Sequence, residues 1–121
     1  MTYCDNTDIK QRLDLTEQQY DQRNIELDSV RKRANRWIVV WFARYDFSAP
    51  EPDSLSGELM LLRDIEADYA SYLYWRDYHE WMEHEGDTKK RSYFKIDAKE
   101  NLQELLKSQA GDKFFETGGE I

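Results

Sequence analysis

Apolar side chains recur at three- and four-residue steps through most of the chain, and those steps predict helices. Leu27, Val30, Ala34, Trp37, Ile38, Trp41 and Tyr45 form one core stripe, at the ~100° per residue of an α-helix. On the far side of the same segment Lys32 and Arg36 come first, and Val39, Val40 and Ala43 follow. Its C-terminal half is apolar all round, which predicts burial on more than one side. Residues 57–85 predict another long helix, this one with two stripes. Leu59, Leu62, Ile65, Tyr69, Tyr72 and Leu73 make the first, and Met60, Tyr74, Trp75, Tyr78, Trp81 and Met82 the second. A surface helix of a small monomer needs one stripe a little over ~100° wide. The second stripe therefore requires cover from another part of the chain or from another molecule, a first indication of assembly rather than chemistry.

The ends of the elements carry signals of their own. Asp5, Asn6 or Thr7 can cap a short helix over Asp8 to Leu13, since each offers a side-chain oxygen to free N–H groups. Thr16 and Gln19 have capping-box spacing and open a helix predicted to run to about Tyr45. Asp46 to Ser56 is the main break, with Pro50 and Pro52 set among Ser48, Asp53 and Ser54. Gly86-Asp87 stops the aromatic helix, and Lys89-Lys90-Arg91 follows as a basic patch. A last helix is predicted to open at Asp97, with Glu100 at capping-box spacing. Ala98, Leu102, Leu105 and Leu106 give it one narrow apolar edge, and it ends near Ala110-Gly111. Lys113 to Ile121 reads as a tail carrying Phe114 and Phe115. The predicted fold is all-α, a bundle of about four helices (short, long, long, short). Residues 1–92 form the bundle domain, and 93–121 a C-terminal helix and extended arm.

Composition supports that fold. A chain of 121 residues suits one domain, and only five glycines and two prolines favour helices over loops. An aromatic content of 14% argues against disorder. The longest apolar run, Trp37 to Ala43, has seven residues, far below the ~18 of a membrane helix. Met1 to Asp8 is polar and acidic, with no signal-peptide pattern. The single cysteine, Cys4, cannot form an internal disulfide, which fits a reducing cytoplasm; it reads as a small packed residue at the start of a helix.

Charge is uneven. Residues 1–45 hold seven acids and eight bases, and 89–121 hold six acids and seven bases. Residues 46–88 hold twelve acids against Arg63 and Arg76 alone, and so carry the whole imbalance behind the net −8. A segment this acidic repels a phosphate backbone and disfavours sequence-specific DNA binding on that face.

The motifs of catalysis are hard to find. His79 and His84 lie five residues apart, not the four that place two histidines on one zinc from one helical face; solvated helix-end histidines are the simpler account. Asp64 and Asp68 stand one turn apart, but acid–base work would need one of them in an apolar pocket, and a solvated face explains them. No Gly-rich phosphate loop or nucleophile elbow occurs. No enzyme activity, cofactor or metal is expected. The basic cluster Arg31-Lys32-Arg33 with Arg36 has three readings: a phosphate contact, a solvated face, or the partner of an acidic helix on a neighbouring subunit. The last suits the charge map best, because opposed charges fix register.

The order of elements resembles a known family. Tyr3-Cys4 opens the chain, Asp8 to Leu13 follows as a short helix, and Tyr20-Asp21 leads into a long one. An acidic proline-containing loop then precedes Leu62-Arg63-Asp64-Ile65-Glu66-Ala67-Asp68-Tyr69-Ala70, running into Tyr74 and Trp75. This resembles the head–tail connector proteins of tailed bacteriophages, also called adaptor or head-completion proteins, over about residues 3–85. Trp37-Ile38-Val39-Val40-Trp41 stands where an Ile-Asp ending of the long helix would be expected. The resemblance implies a homo-oligomeric ring, typically dodecameric, in the neck of the virion and assembled in the host cytoplasm. The ring would dock on the portal protein, extend the DNA channel without sequence-specific binding, and offer a platform to a stopper or tail-completion protein.

On that basis Tyr93, Phe94, Ile96, Leu102, Leu105, Leu106, Phe114 and Phe115 are expected in a portal-binding arm. Lys32, Arg36, Tyr74, Trp75, Tyr78 and Trp81 are expected at the subunit interface, and Asp46, Pro50, Pro52 and Asp53 in a tail-side loop. An acidic middle segment suits a channel wall past which DNA must slide. A different class of function, a small acidic inhibitor or antitoxin-like regulator on a basic partner, would use the same acids turned outward as phosphate mimics.

Overall fold

The computed structural model describes residues 2–52, 58–78 and 88–110. All regular structure among them is helical: α1 (Asn6–Leu13), α2 (Glu17–Gln22), α3 (Asn24–Arg44), α4 (Glu58–Tyr78) and α5 (Thr88–Ala110). The all-α class expected from the periodicity is the one observed.

Asp5 caps α1 by accepting from the Asp8 N–H at 3.2 Å, while the Asp8 carboxylate accepts from the Asp5 N–H at 3.0 Å. This is a capping box with aspartate in the place usually held by Glu or Gln. Thr16 and Gln19 form the second box as expected. The helix it opens stops after six residues, however, and does not run through to Tyr45. Arg23 leaves helical geometry at φ −119°, and the Asn24 side chain donates to the Asp21 carbonyl at 3.3 Å. A short amide competing for a backbone carbonyl is a known way to interrupt a helix.

α3 ends in a Schellman motif. Asp46 is left-handed (φ 61°) and its N–H donates to the Ala43 carbonyl, while the Phe47 N–H reaches the Phe42 carbonyl at 2.9 Å. Aspartate tolerates that conformation better than most residues. The hook brings Phe47 and Ala49 against the same apolar cluster as Phe42.

α4 packs against α1, α3 and α5, which covers Tyr74 and Trp75 of its second stripe but leaves Met60 exposed. Leu73, Tyr74, Trp75 and Ala70 join Ile9, Leu13, Leu15, Leu27, Val30 and Ala34 in one cluster. Leu62 and Ile65 join Ile38, Phe42, Ala98, Leu102, Leu105 and Leu106 in another. The chain covers this part of both stripes itself, so their presence does not demand a partner. Trp81 and Met82, the far end of the second stripe, lie outside the described residues.

Two expectations are corrected by α5. It opens at Thr88, not Asp97, and runs for 23 residues. The basic run 89–91 is its first turn, and Asp97 with Glu100 is mid-helix rather than a cap. No Gly or Pro interrupts residues 88–110, so nothing in the chain breaks the helix before Ala98. The boundary at 92/93 therefore falls inside one continuous helix. Its apolar edge is core: Leu102 and Leu106 are fully buried. A final correction concerns α3, whose Val39, Val40 and Ala43 stay exposed although the apolar pattern predicted cover on that side.

Candidate functional site

The most developed polar site is buried at the centre of α4. Glu66 is fully buried and takes hydrogen bonds from three directions. The backbone N–H groups of Tyr3 and Cys4 donate to its Oε1 at 2.8 and 2.9 Å, and Asn35 Nδ2 donates to Oε2 at 2.9 Å. Burial pushes the Glu66 carboxyl above its ordinary range, and the bonds from Cys4, Asn35 and Tyr3 offset that only in part. The same burial, with the Glu66 charge beside them, pushes the Cys4 thiol far up and the Tyr3 phenol up to about 12. The Tyr3 hydroxyl donates to the Pro50 carbonyl at 2.6 Å, which ties the N-terminal segment to the loop after α3. A thiol so held is shielded and protonated. Alkylation of Cys4 in the folded protein should run at least about 100-fold slower than in urea, because it must await local opening; mass spectrometry of a labelling time course checks this.

Around Glu66 the acids of α4 meet arginines of the same chain. Asp8 accepts both Arg63 Nε and Nη2 at 3.1 and 3.0 Å. Burial raises the Asp8 carboxyl, but the Arg63 pair and the Asp5 N–H outweigh it and hold it below its usual range. Arg12 donates to Asp68 at 2.7 Å and to Asp64 at 3.2 Å. Arg33 reaches Asp77 at 2.7 Å, and Arg76 binds the same carboxylate. The acids of α4 are thus largely occupied inside the monomer. Glu66, Asp68 and Asp77 are engaged within the chain, whereas Asp64 keeps 65% of its side chain exposed. Glu80, Glu83, Glu85 and Asp87 lie outside the described residues.

The basic cluster divides in the same way. Arg31 donates to Asp28 at 2.8 Å, to Thr2 Oγ1 at 2.7 Å and to the Cys4 carbonyl at 3.0 Å. Arg33 is taken by Asp77. Lys32 and Arg36 are exposed and form no ion pair among the described residues. They line an open groove of about 900 Å³ together with Thr2, Ile25 and Asn35. A second groove, of about 510 Å³, begins at Asn35 and runs along Val39 and Ala43 to the Phe47–Pro52 loop. α3 therefore turns outward a face that is basic in the middle and apolar at both ends.

No family model, curated protein or solved structure matches this chain.

The residues expected to act together are scattered by the fold. Of the expected subunit interface, Lys32 and Arg36 are at the surface, but Tyr74 (1% exposed) and Trp75 (7%) are core. Tyr78 is half-buried against the same cluster, and Trp81 lies outside the described residues. Of the expected arm, Leu102, Leu105 and Leu106 are core, and Phe94 packs partly buried against the first cluster. Tyr93 and Ile96 are exposed, while Phe114 and Phe115 lie outside the described residues. In the loop, Asp46 is exposed, Pro50 and Pro52 are half-buried, and Asp53 is not described. Sequence reasoning overlooked Glu66, yet a signal was there: it lies one turn from Leu62 and one turn from Tyr69 and Ala70, on the inward stripe.

Among the described residues no helix is long and apolar enough to cross a membrane. No group of three or more His, Cys, Asp or Glu side chains among them could hold a metal ion.

Proposed function

We propose that this protein is a structural subunit of a phage head–tail connector, forming a ring between the portal and the tail. The observation that carries the proposal is the outward face of α3, where Ile25, Lys32, Arg36, Val39 and Val40 are all exposed and neither base forms an ion pair among the described residues. Exposed apolar positions rimmed by unpaired charge belong to surfaces that meet other macromolecules. The resemblance adds its weight. The residues behind it, Tyr3-Cys4 and the run from Leu62 to Ala70, are the ones that interlock through Glu66, Arg63 and Asp68.

In this proposal the loop after α3 faces the tail, and the segment after α5, carrying Phe114 and Phe115, meets the portal. DNA passes through the ring without being gripped. Leu102, Leu105 and Leu106 have no part in portal docking, because they hold α5 to α4.

The test is mass by light scattering at micromolar concentration, for the protein alone and mixed with portal rings of its own virus. Monomers that add to portal in one fixed stoichiometry are the expected result. A protein that ignores portal would remove the connector assignment.

A further inference from the structure

The exposed stripe of α3 has a counterpart on α5. Ile25, Lys32, Arg36, Val39, Val40 and Ala43 are all exposed, and at the α-helical repeat they fall within an arc of about 100°. On α5, Tyr93, Ile96, Asp97, Glu100 and Glu104 are likewise all exposed and fall within a similar arc. The three acids form no ion pair among the described residues. One face is basic with Ile25 at one apolar end and Val39 and Val40 at the other, and the second face is acidic with one apolar end.

Order along each helix fixes how they can meet. On α3 the apolar pair Val39 and Val40 follows the bases. On α5 the apolar pair Tyr93 and Ile96 precedes the acids. An antiparallel pairing seats both Val39 and Val40 at the apolar end of α5 while matching the charges, whereas a parallel one can seat only Ile25 there. Placing Val40 beside Tyr93 and Phe94 then sets Arg36 between Asp97 and Glu100, and Lys32 between Glu100 and Glu104, at the rise of ~1.5 Å per residue common to both helices. A parallel arrangement that pairs Lys32 with Glu100 and Arg36 with Glu104 sets Ile25 on Tyr93 but leaves Val39 and Val40 against Lys107 and Ser108. Two copies of the α3 face, by contrast, would set Lys32 and Arg36 against each other.

We propose that the α3 face of one molecule docks antiparallel on the α5 face of a second copy, so that copies join through two different surfaces. A contact of this kind is heterologous and builds a ring when its rotation closes. The proposal deepens the connector reading and rests on it for the closed ring alone; the pairing itself stands on the two faces.

Charge reversal tests the pairing. One variant carries Lys32→Glu with Arg36→Glu, and the other Asp97→Lys with Glu100→Lys. All four side chains are exposed, so each variant should keep the thermal melt of the unaltered chain. In the first variant both faces are acidic, and in the second both are basic. Each alone should self-associate about 10- to 100-fold more weakly than the unaltered chain, because like charges now oppose one another. An equimolar mixture should recover association, since the two variants can alternate with every contact complementary.

Sedimentation velocity up to about 1 mM reads all three samples, a range wide enough for weak contacts. Recovery on mixing, and only on mixing, establishes the contact. Variants that associate like the unaltered chain, a mixture that fails to recover, or an unaltered chain monomeric throughout would each overturn it. Assembly through this contact into closed pairs that ignore portal rings would keep the contact and remove the connector reading. Rings on portal that are indifferent to both reversals would do the opposite.

Discussion

A chain ending at residue 92 is expected not to fold cooperatively. Ala98, Leu102, Leu105 and Leu106 make up half of the buried cluster that also contains Ile38, Phe42, Leu62 and Ile65. Removing residues 93–121 withdraws three buried leucines and uncovers four large apolar side chains of α3 and α4. At ~1.5–3 kcal/mol for each buried side chain of this size, the loss is on the order of 10 kcal/mol, comparable with the ~5–15 kcal/mol that holds a whole domain together. The shortened chain should retain some helix by circular dichroism but melt without a sharp transition. A cooperative melt would restore the picture of a bundle domain with a separate arm. Leu102→Ala in the full chain is the graded version, expected to cost ~2–5 kcal/mol.

The second large effect belongs to Glu66. Replacing it by Ala removes the acceptor for the Tyr3 and Cys4 N–H groups and for the Asn35 amide, all at 2.8–2.9 Å. Stranded buried donors cost ~1–3 kcal/mol each, and release of the N-terminal segment to water recovers part of that. A net loss of about 3 kcal/mol in urea unfolding is expected. A loss below about 1 kcal/mol would mean that the N-terminal segment contributes little to the fold.

Acid should reveal the same group. Burial raises the folded carboxyl above 4.5, so in that window the folded chain binds the proton and the unfolded chain does not. The contribution of Glu66 to stability therefore rises as pH falls from neutral toward 4.5, and it falls as pH climbs back. Glu66→Gln cannot titrate and should lack this slope. Identical slopes for the two proteins between pH 7 and 5 would show that Glu66 stays ionised throughout. Asp8 works in the opposite sense: with its carboxyl held low by Arg63, it loses its contribution only at stronger acid.

Much of the fold was legible because it is written in local spacing. The Thr16–Gln19 capping box and the inner stripe of α3 depend on residues three or four apart, and each formed where its spacing placed it, whereas Asp97 and Glu100 have the same spacing but lie mid-helix. The start of α5 was not legible for a related reason. Residues 88–96 mix Lys, Arg and aromatic side chains without a clean apolar period, and the packing of Phe94 on the first cluster and of Lys95 over the Tyr72 ring is not written in their spacing. Which faces stay open was harder still. Tyr74 and Trp75 read as surplus aromatics until α1 and α3 close over them, and Glu66 reads as one more surface acid until the chain returns to it from Tyr3. Those facts depend on contacts between residues more than thirty positions apart, and single-helix periodicity carries no information about them.

The bond between Tyr3 and Glu66 also imposes an order on biogenesis. On the ribosome the N-terminal segment leaves the tunnel some sixty residues before the carboxylate that will receive it, several seconds earlier at ~5–20 residues per second. Through that interval α1 and the segment before it have only α3 to rest on. Their final position is fixed only when α4 has emerged, so an early-made helix is locked in place by a later one.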